Sequence, residues 1–383
     1  MKVPFFRLKF GDSEKREILE VLKSGWVTSG PKVKQFEKQI SRIAGVKYAA
    51  AVSSGTAGLH LALEAAEAGK GDEVITSPFT MAATVEAILY AGAKPVFVDI
   101  DPVSLNIDPA LIEKKINKKT KAIVSVDIAG FPCDYSRLTR IAKAHNLFLL
   151  DDAAHSLGAT YRGKPIGSIA DAVVFSFYST KNITTGEGGM VVSKSRQLIE
   201  TVRHLSLHGM TSSGWKRYSG GGWEYDITTL GYKYNMPDLS AALGLGQLSH
   251  FKQLQDKRAR LADRYLEGLR GLNELIELPT APDNISHGRH LFIIKIIPRR
   301  WKINRDRLIT ELEKKGVGCG VHFIPIYRFS YFKRIMSQKQ REFPRTEEAF
   351  GRVISLPFYP DLSFGEADYV CSAIKQMARR YAR

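Results

Sequence analysis

Along the first half of the chain, short β-branched apolar runs alternate with longer amphipathic ones. Tyr48–Val52, Glu73–Ser77, Val96–Asp99, Ala122–Val126, Leu147–Asp151, Ala172–Ser176 and Met190–Ser193 read as strands. Between most of them apolar residues recur at helical spacing, over Ala57–Ala68, Thr80–Tyr90, Pro109–Asn117 and Tyr135–His145. Strands alternating with helices predict an α/β fold with a mostly parallel sheet covered on both faces. One connection breaks the rhythm. The Gly-rich stretch between Ser176 and Met190 is marginal for a parallel crossover, so one antiparallel strand is expected there, in a seven-stranded mixed sheet.

After Ser193 the pattern predicts a helix over Gln197–His208, then a loop rich in Gly and Ser from Ser212 to Trp223. That loop, Gly214–Gly222 at its centre, reads either as a surface connection or as a lid. A long helical segment, Pro237–Leu272, leads into a second α/β region near Leu278, with a strand at His290–Ile297, a helix at Arg305–Lys315 and the segment Gly318–Ile326. The expected boundary lies within Gly246–His250, giving a large domain, 1–247, and a smaller C-terminal domain, 248–383.

Composition narrows the class. At 383 residues, 44% hydrophobic and 25% charged, the chain has the balance of a soluble globular protein of about two domains. No run of 18 apolar residues occurs, so no membrane span is expected, and Arg7, Lys9 and Asp12 interrupt any signal-peptide core. Cys133, Cys319 and Cys371 form no CxxC pair, which suits a reducing cytoplasm. The net charge of +17 favours anionic ligands. Its densest runs, Glu113–Lys119, Arg299–Lys302 and Arg379–Arg383, come with no RNP motif, zinc finger or Gly-Arg tail. They read as solvated helix faces and ends, with specific nucleic-acid binding as the alternative.

In open α/β sheets ligands sit beyond the carboxyl ends of the strands. After the first strand comes Ser53-Ser54-Gly55-Thr56-Ala57-Gly58, which opens a helix and offers backbone N–H groups and a helix dipole to an anion. It is neither a Walker A nor a GxGxxG sequence. After the fifth comes Asp151-Asp152-Ala153-Ala154-His155, where a buried carboxylate would need a cationic partner. After the sixth, Ser176–Asn182 places Lys181 between tight small-residue stretches, where desolvation lowers an amine's pKa and makes it a nucleophile toward carbonyls. No His/Cys/Asp cluster has metal-ligand spacing, and no GxSxG elbow occurs. An anion cradle, an acid and an amine at adjoining strand ends are what pyridoxal phosphate needs.

The motifs Ser24–Pro31, Ser53–Ala57, Ser77–Thr80, Asp151–His155, Ser176–Lys181, Glu187–Gly189 and Gly231–Asp238 resemble those of the fold-type I pyridoxal-phosphate aminotransferases. Over nearly the whole chain the likeness is to the DegT/DnrJ/EryC1/StrS family of nucleotide-sugar aminotransferases. It is most similar to enzymes aminating C4 of UDP-linked 4-keto sugars, including the one that modifies lipid A, and so implies a role in cell-surface polysaccharide or lipopolysaccharide synthesis. The resemblance makes Lys181 the Schiff-base lysine and proton shuttle, Asp152 the partner of the pyridine nitrogen, and His155 a contact of the phenolic oxygen. Ser176 and the backbone of Gly55, Thr56 and Ala57 would hold the phosphate, and Met81 stands where many members stack an aromatic ring. A homodimer with shared active sites follows, with Lys233 or Asn235 as the phosphate contact offered to the other subunit. Trp26, Thr28, His322 and Tyr327 match substrate-side positions. The implied reactants are a nucleoside-diphosphate keto sugar and L-glutamate, which leaves as 2-oxoglutarate. A dehydratase, or a non-catalytic regulator keeping the cofactor, is the alternative.

Overall fold

In the computed structural model, which describes residues 1–221, 223–280, 282 and 284–383, the apolar alternation becomes a sheet with two buried faces. Its strands are β1 (Tyr48–Val52), β2 (Glu73–Thr76), β3 (Lys94–Phe97), β4 (Thr120–Val126), β5 (Phe148–Asp152), β6 (Ala172–Ser176) and β7 (Gly189–Ser193). They lie in the order β1-β7-β6-β5-β4-β2-β3. Pairings from β6 through β3 are parallel, and β7 runs antiparallel to both β1 and β6. The expected antiparallel strand is therefore present.

Successive residues point to opposite faces. Leu149, Val173, Phe175, Met190 and Val192 enter one cluster, with Phe36 and Leu245 from the covering helices. Leu150, Ala172, Val174 and Val191 enter the other, with Leu59, Ile88 and Val202. The helices on the second face are α3 (Gly55–Ala65), α4 (Ala82–Tyr90) and α6 (Arg196–Leu205); on the first lie α2 (Pro31–Ile43), α5 (Tyr135–Ala144) and α7 (Asp238–Leu248), while α1 (Asp12–Ser24) packs on α7.

Two predicted helices depart most from their patterns. Pro109–Asn117 is helical only over Pro109–Ile112 with a 3-10 turn to Lys115, because Ile116 turns extended. Pro237–Leu272 divides into α7 and α8 (Phe251–Gly268) at Ser249 and His250, where tertiary contacts intervene: His250 Nε2 lies 3.3 Å from Glu14. A third cluster gathers α8, strand β9 (Phe292–Ile296), strand β10 (Val353–Leu356) and the C-terminal helix Phe364–Tyr381. Strand β8 (Ile276–Glu277) completes its sheet, in the order β8-β9-β10. Val3 joins this cluster from the start of the chain, its N–H donating to the Gly316 carbonyl.

Within the Gly/Ser loop, Gly214–Lys216 and Arg217–Gly221 form helical turns, and Gly222 lies outside the described residues. Trp215 packs edge-on against Trp26 at 4.9 Å. Among the described residues no helix is long and apolar enough to cross a membrane.

Candidate active site

The carboxyl ends of β1, β5 and β6 open into one cavity of about 460 Å³. Gly55, Thr56 and Ser176 line its floor, Asp152, His155 and Lys181 its inner wall, and Met81 and His322 stand further round. Phe5 reaches the same wall from the chain start and Phe358 from the C-terminal half.

The cradle follows from α3 beginning directly after β1. Ser54 caps the helix, its Oγ accepting the N–H of Ala57 at 3.0 Å. The Ala57 amide is thereby spent, and Ala57 is not part of the cavity wall. Gly55 and Thr56 line the cavity, and their first-turn N–H groups have no carbonyl four residues back. A Cβ at position 55 would come within 3.0 Å of Ser176, and one at Gly189 would strike the Ser54 carbonyl. Only glycine lets the cradle, Ser176 and the start of β7 approach so closely.

Asp152 ends β5 almost fully buried. Thr84 Oγ1 donates to its Oδ2 (2.7 Å), the Ala154 N–H to its Oδ1 (3.3 Å), and Thr80 lies 2.8 Å behind Thr84. Burial pushes its pKa up, against the pull of the Thr84 bond and of Lys181. Lys181 sits in the loop between β6 and β7, which is closed by Phe177 N–H to Gly188 carbonyl (2.9 Å) and Lys181 N–H to Tyr178 carbonyl (2.9 Å). Burial lowers its ammonium to about 8, and Asp152 opposes that shift. The amine therefore gives up its proton far more readily than an exposed lysine does. His155 accepts the Ala129 N–H on Nδ1 (3.2 Å), which leaves its proton on Nε2. Burial first, then Lys181 and His322, holds it neutral. His322 bonds Ser355 through Nδ1 (2.8 Å) and is lowered to about 4, again mainly by burial.

The remaining predicted residues lie elsewhere. Tyr327 is buried in a separate cluster, stacked on Phe343 at 5.2 Å with its hydroxyl donating to Glu347 (2.8 Å). It does not line the cavity, because Glu347 satisfies its hydroxyl and Phe343 its ring. Trp26, packed on Trp215, and the exposed Thr28 also lie outside the cavity wall. Their segment is locked to the 231–238 motif: Ser29 Oγ donates to the Met236 carbonyl (2.6 Å), and Asp238 accepts the N–H groups of Gly30, Lys32 and Val33. Asn235 belongs to this lock, donating to Ser29 Oγ (2.7 Å). Lys233, opposite the stacked Tyr232 and Tyr234, is exposed.

Sequence reasoning missed Thr84, Tyr178, Glu187 and His290. Thr84 lies one turn inside a helix opened by a motif already noticed, and Glu187 within another; His290 carries no local signal.

A model of the DegT/DnrJ/EryC1/StrS aminotransferase family matches residues 9–375. The chain belongs to this family. The spore coat polysaccharide biosynthesis protein SpsC of Bacillus subtilis is 42% identical over 379 residues, covering 98% of this chain and 97% of its own. Among solved structures, Spr1654 of Streptococcus pneumoniae in its PMP-form is 35% identical with a TM-score of 0.93, covering 99% of this chain and 100% of that one. PseC of Helicobacter pylori, an aminotransferase involved in pseudoaminic acid biosynthesis, is 29% identical with a TM-score of 0.91, over 99% of this chain and 100% of that one. This chain is a pyridoxal-phosphate-dependent aminotransferase of fold type I. Its residues fit the cofactor: a desolvated amine, a buried carboxylate braced by a hydroxyl, and a glycine-lined helix start share one cavity.

Proposed function

We propose that this aminotransferase moves the amino group of L-glutamate to a keto sugar carried on a nucleoside diphosphate, giving a UDP-4-amino sugar from a UDP-4-keto sugar and releasing 2-oxoglutarate. The product serves cell-surface polysaccharide synthesis in the cytoplasm. The observation that carries the chemistry is the Lys181 amine, brought to about 8 in one cavity with Asp152. Kinship over nearly the whole chain with SpsC and PseC supports the sugar, and the net charge of +17 suits a diphosphate.

Bound pyridoxal phosphate supplies an electron sink for the carbanion formed at the amino carbon. Everything else falls to the chain. Lys181 holds the cofactor and, as a neutral amine, takes and returns the proton at the reacting carbon. Asp152, whose anionic form Thr84 and Lys181 favour against burial, accepts the ring nitrogen's N–H. His155 offers Nε2–H to the phenolic oxygen, and Gly55, Thr56 and Ser176 hold the phosphate, with Met81 beside the ring. His322 lies on the substrate side.

We further propose a homodimer with shared sites, and the division at 247/248. The cavity rim is apolar and open, with Met81 58% and Tyr178 47% exposed, as a surface awaiting cover would be. Asn235 is engaged within its own chain, so the exposed Lys233 is the better candidate for a phosphate contact across the dimer. Trp26 and Thr28 then belong to the same interface rather than to their own subunit's cavity.

The test is the near-ultraviolet and visible spectrum of the protein with pyridoxal phosphate, before and after L-glutamate. Conversion to the pyridoxamine form, followed by amination of a UDP-4-keto sugar seen as product mass, is the expected result. A dehydrated product would replace this reading, and a spectrum unmoved by any amino acid would point to a regulator.

A further inference from the structure

Behind the lysine loop, two imidazoles stack. The rings of His155 and His290 lie 4.3 Å apart at 29°, and nothing above gives His290 a task. Its bonding fixes its state. Asn182 Nδ2 donates to the Gly288 carbonyl (2.6 Å) and to Gln255 Oε1 (3.1 Å). Asn182 Oδ1 is then the acceptor, 3.2 Å from His290 Nδ1, so His290 carries its proton on Nδ1. His155 carries its own on Nε2, since its Nδ1 accepts from Ala129. The two rings are held in opposite tautomers by partners that cannot reverse roles.

The backbone repeats the connection. The Ala129 carbonyl accepts the N–H groups of His290 (3.0 Å) and Leu291 (3.2 Å), while its N–H holds His155. From the other side, buried Arg258 donates through Nη1 to the carbonyls of Arg289 (3.2 Å) and His290 (3.3 Å). Asn182 is the residue directly after Lys181. One imidazole therefore bridges the turn that carries the amine and the ring that faces the same cavity.

We propose that His290 is a positioning residue: through Asn182 it steadies the Lys181 turn, and through its stacked face it holds the His155 ring toward the cofactor. This rests on the cofactor reading given above. The charged and titratable groups around it act together. Burial, His155, Lys181, Arg258 and His322 all keep His290 neutral, and Asp152 faces Lys181 from β5. A neutral stack adds no charge beside the amine, whereas a protonated His290 would oppose two cations.

The test uses the full-length protein loaded with pyridoxal phosphate and His290→Phe, which keeps a flat ring and loses the N–H. The pH midpoint of the absorbance of cofactor bound on Lys181 is expected to move by about half a unit or more. The rate of the spectral change with L-glutamate is expected to fall roughly tenfold, as for other residues that orient a functional ligand. Asn182→Ala, which leaves the imidazole in place, should move both in the same direction, and the double variant should go no further than the stronger single one. Should His290→Phe fail to fold, Asn182→Ala decides alone. A wild-type protein that takes up no pyridoxal phosphate overturns the cofactor reading and this inference with it. Wild-type titration with variants that titrate at the same pH and react at the same rate overturns the inference alone.

Discussion

The inner wall of the cavity and its rim are built on opposite terms. On the inner wall, Asp152, His155 and Lys181 each have their position set by bonds within the chain, and burial has moved the proton affinity of all three. At the rim, Met81, Tyr178 and Glu187 face outward, and Lys233 stands exposed in the 231–238 segment. The lesson is that reactivity here comes from desolvation, which the inner wall has and the open rim lacks.

The hardest blow to the inner wall is Lys181→Ala. It should cost about a thousandfold or more in turnover and abolish fixation of the cofactor by borohydride, read by mass. Unchanged labelling would move the nucleophile elsewhere. Asp152→Asn comes next, at about a hundredfold in the glutamate half-reaction. Because Asp152 raises the Lys181 pKa, the same change should lower the pH at which the amine captures pyridoxal phosphate. In the wild type, capture should rise roughly tenfold per pH unit below about 8 and level off above it, since only the neutral amine reacts. A midpoint near 10 would mean that the wall is wet. Thr84→Val removes the hydroxyl that stabilises the carboxylate, so the Asp152 pKa should rise and the half-reaction slow about tenfold. At the rim, Lys233→Ala should weaken cofactor binding only about three- to fivefold, the scale of an exposed ionic contact. A loss as large as that of Asp152→Asn would erase the contrast between the two regions.

How much of this was legible beforehand follows the same division. The strands and the antiparallel exception could be read from β-branched runs and one short connection, because a doubly covered sheet demands them. Lys181, Asp152 and His155 could be found because they follow strands directly. His290 could not: its meaning lies in Asn182 and Ala129, which are remote in sequence. At Ala57 the hidden part is local, since the cap that takes up its N–H is a detail finer than the motif. That Tyr327 lies away from the cavity was also hidden, because Glu347, twenty residues on, takes its hydroxyl. The break at His250 likewise depends on Glu14, from the first helix of the chain.

Phe5 in the cavity wall and Val3 held by Gly316 set an order of construction. The cradle, the acid and the lysine loop all lie between residues 54 and 189, yet Asn182 and the His155 ring are braced by Gly288 and His290, which are made much later. The wall that encloses them needs the beginning of the chain to wait for residues near its far end. That contact closes most of the chain into one loop, so its closure entropy is met late. A nascent chain would thus hold the parts of its chemistry before it held either their bracing or their enclosure.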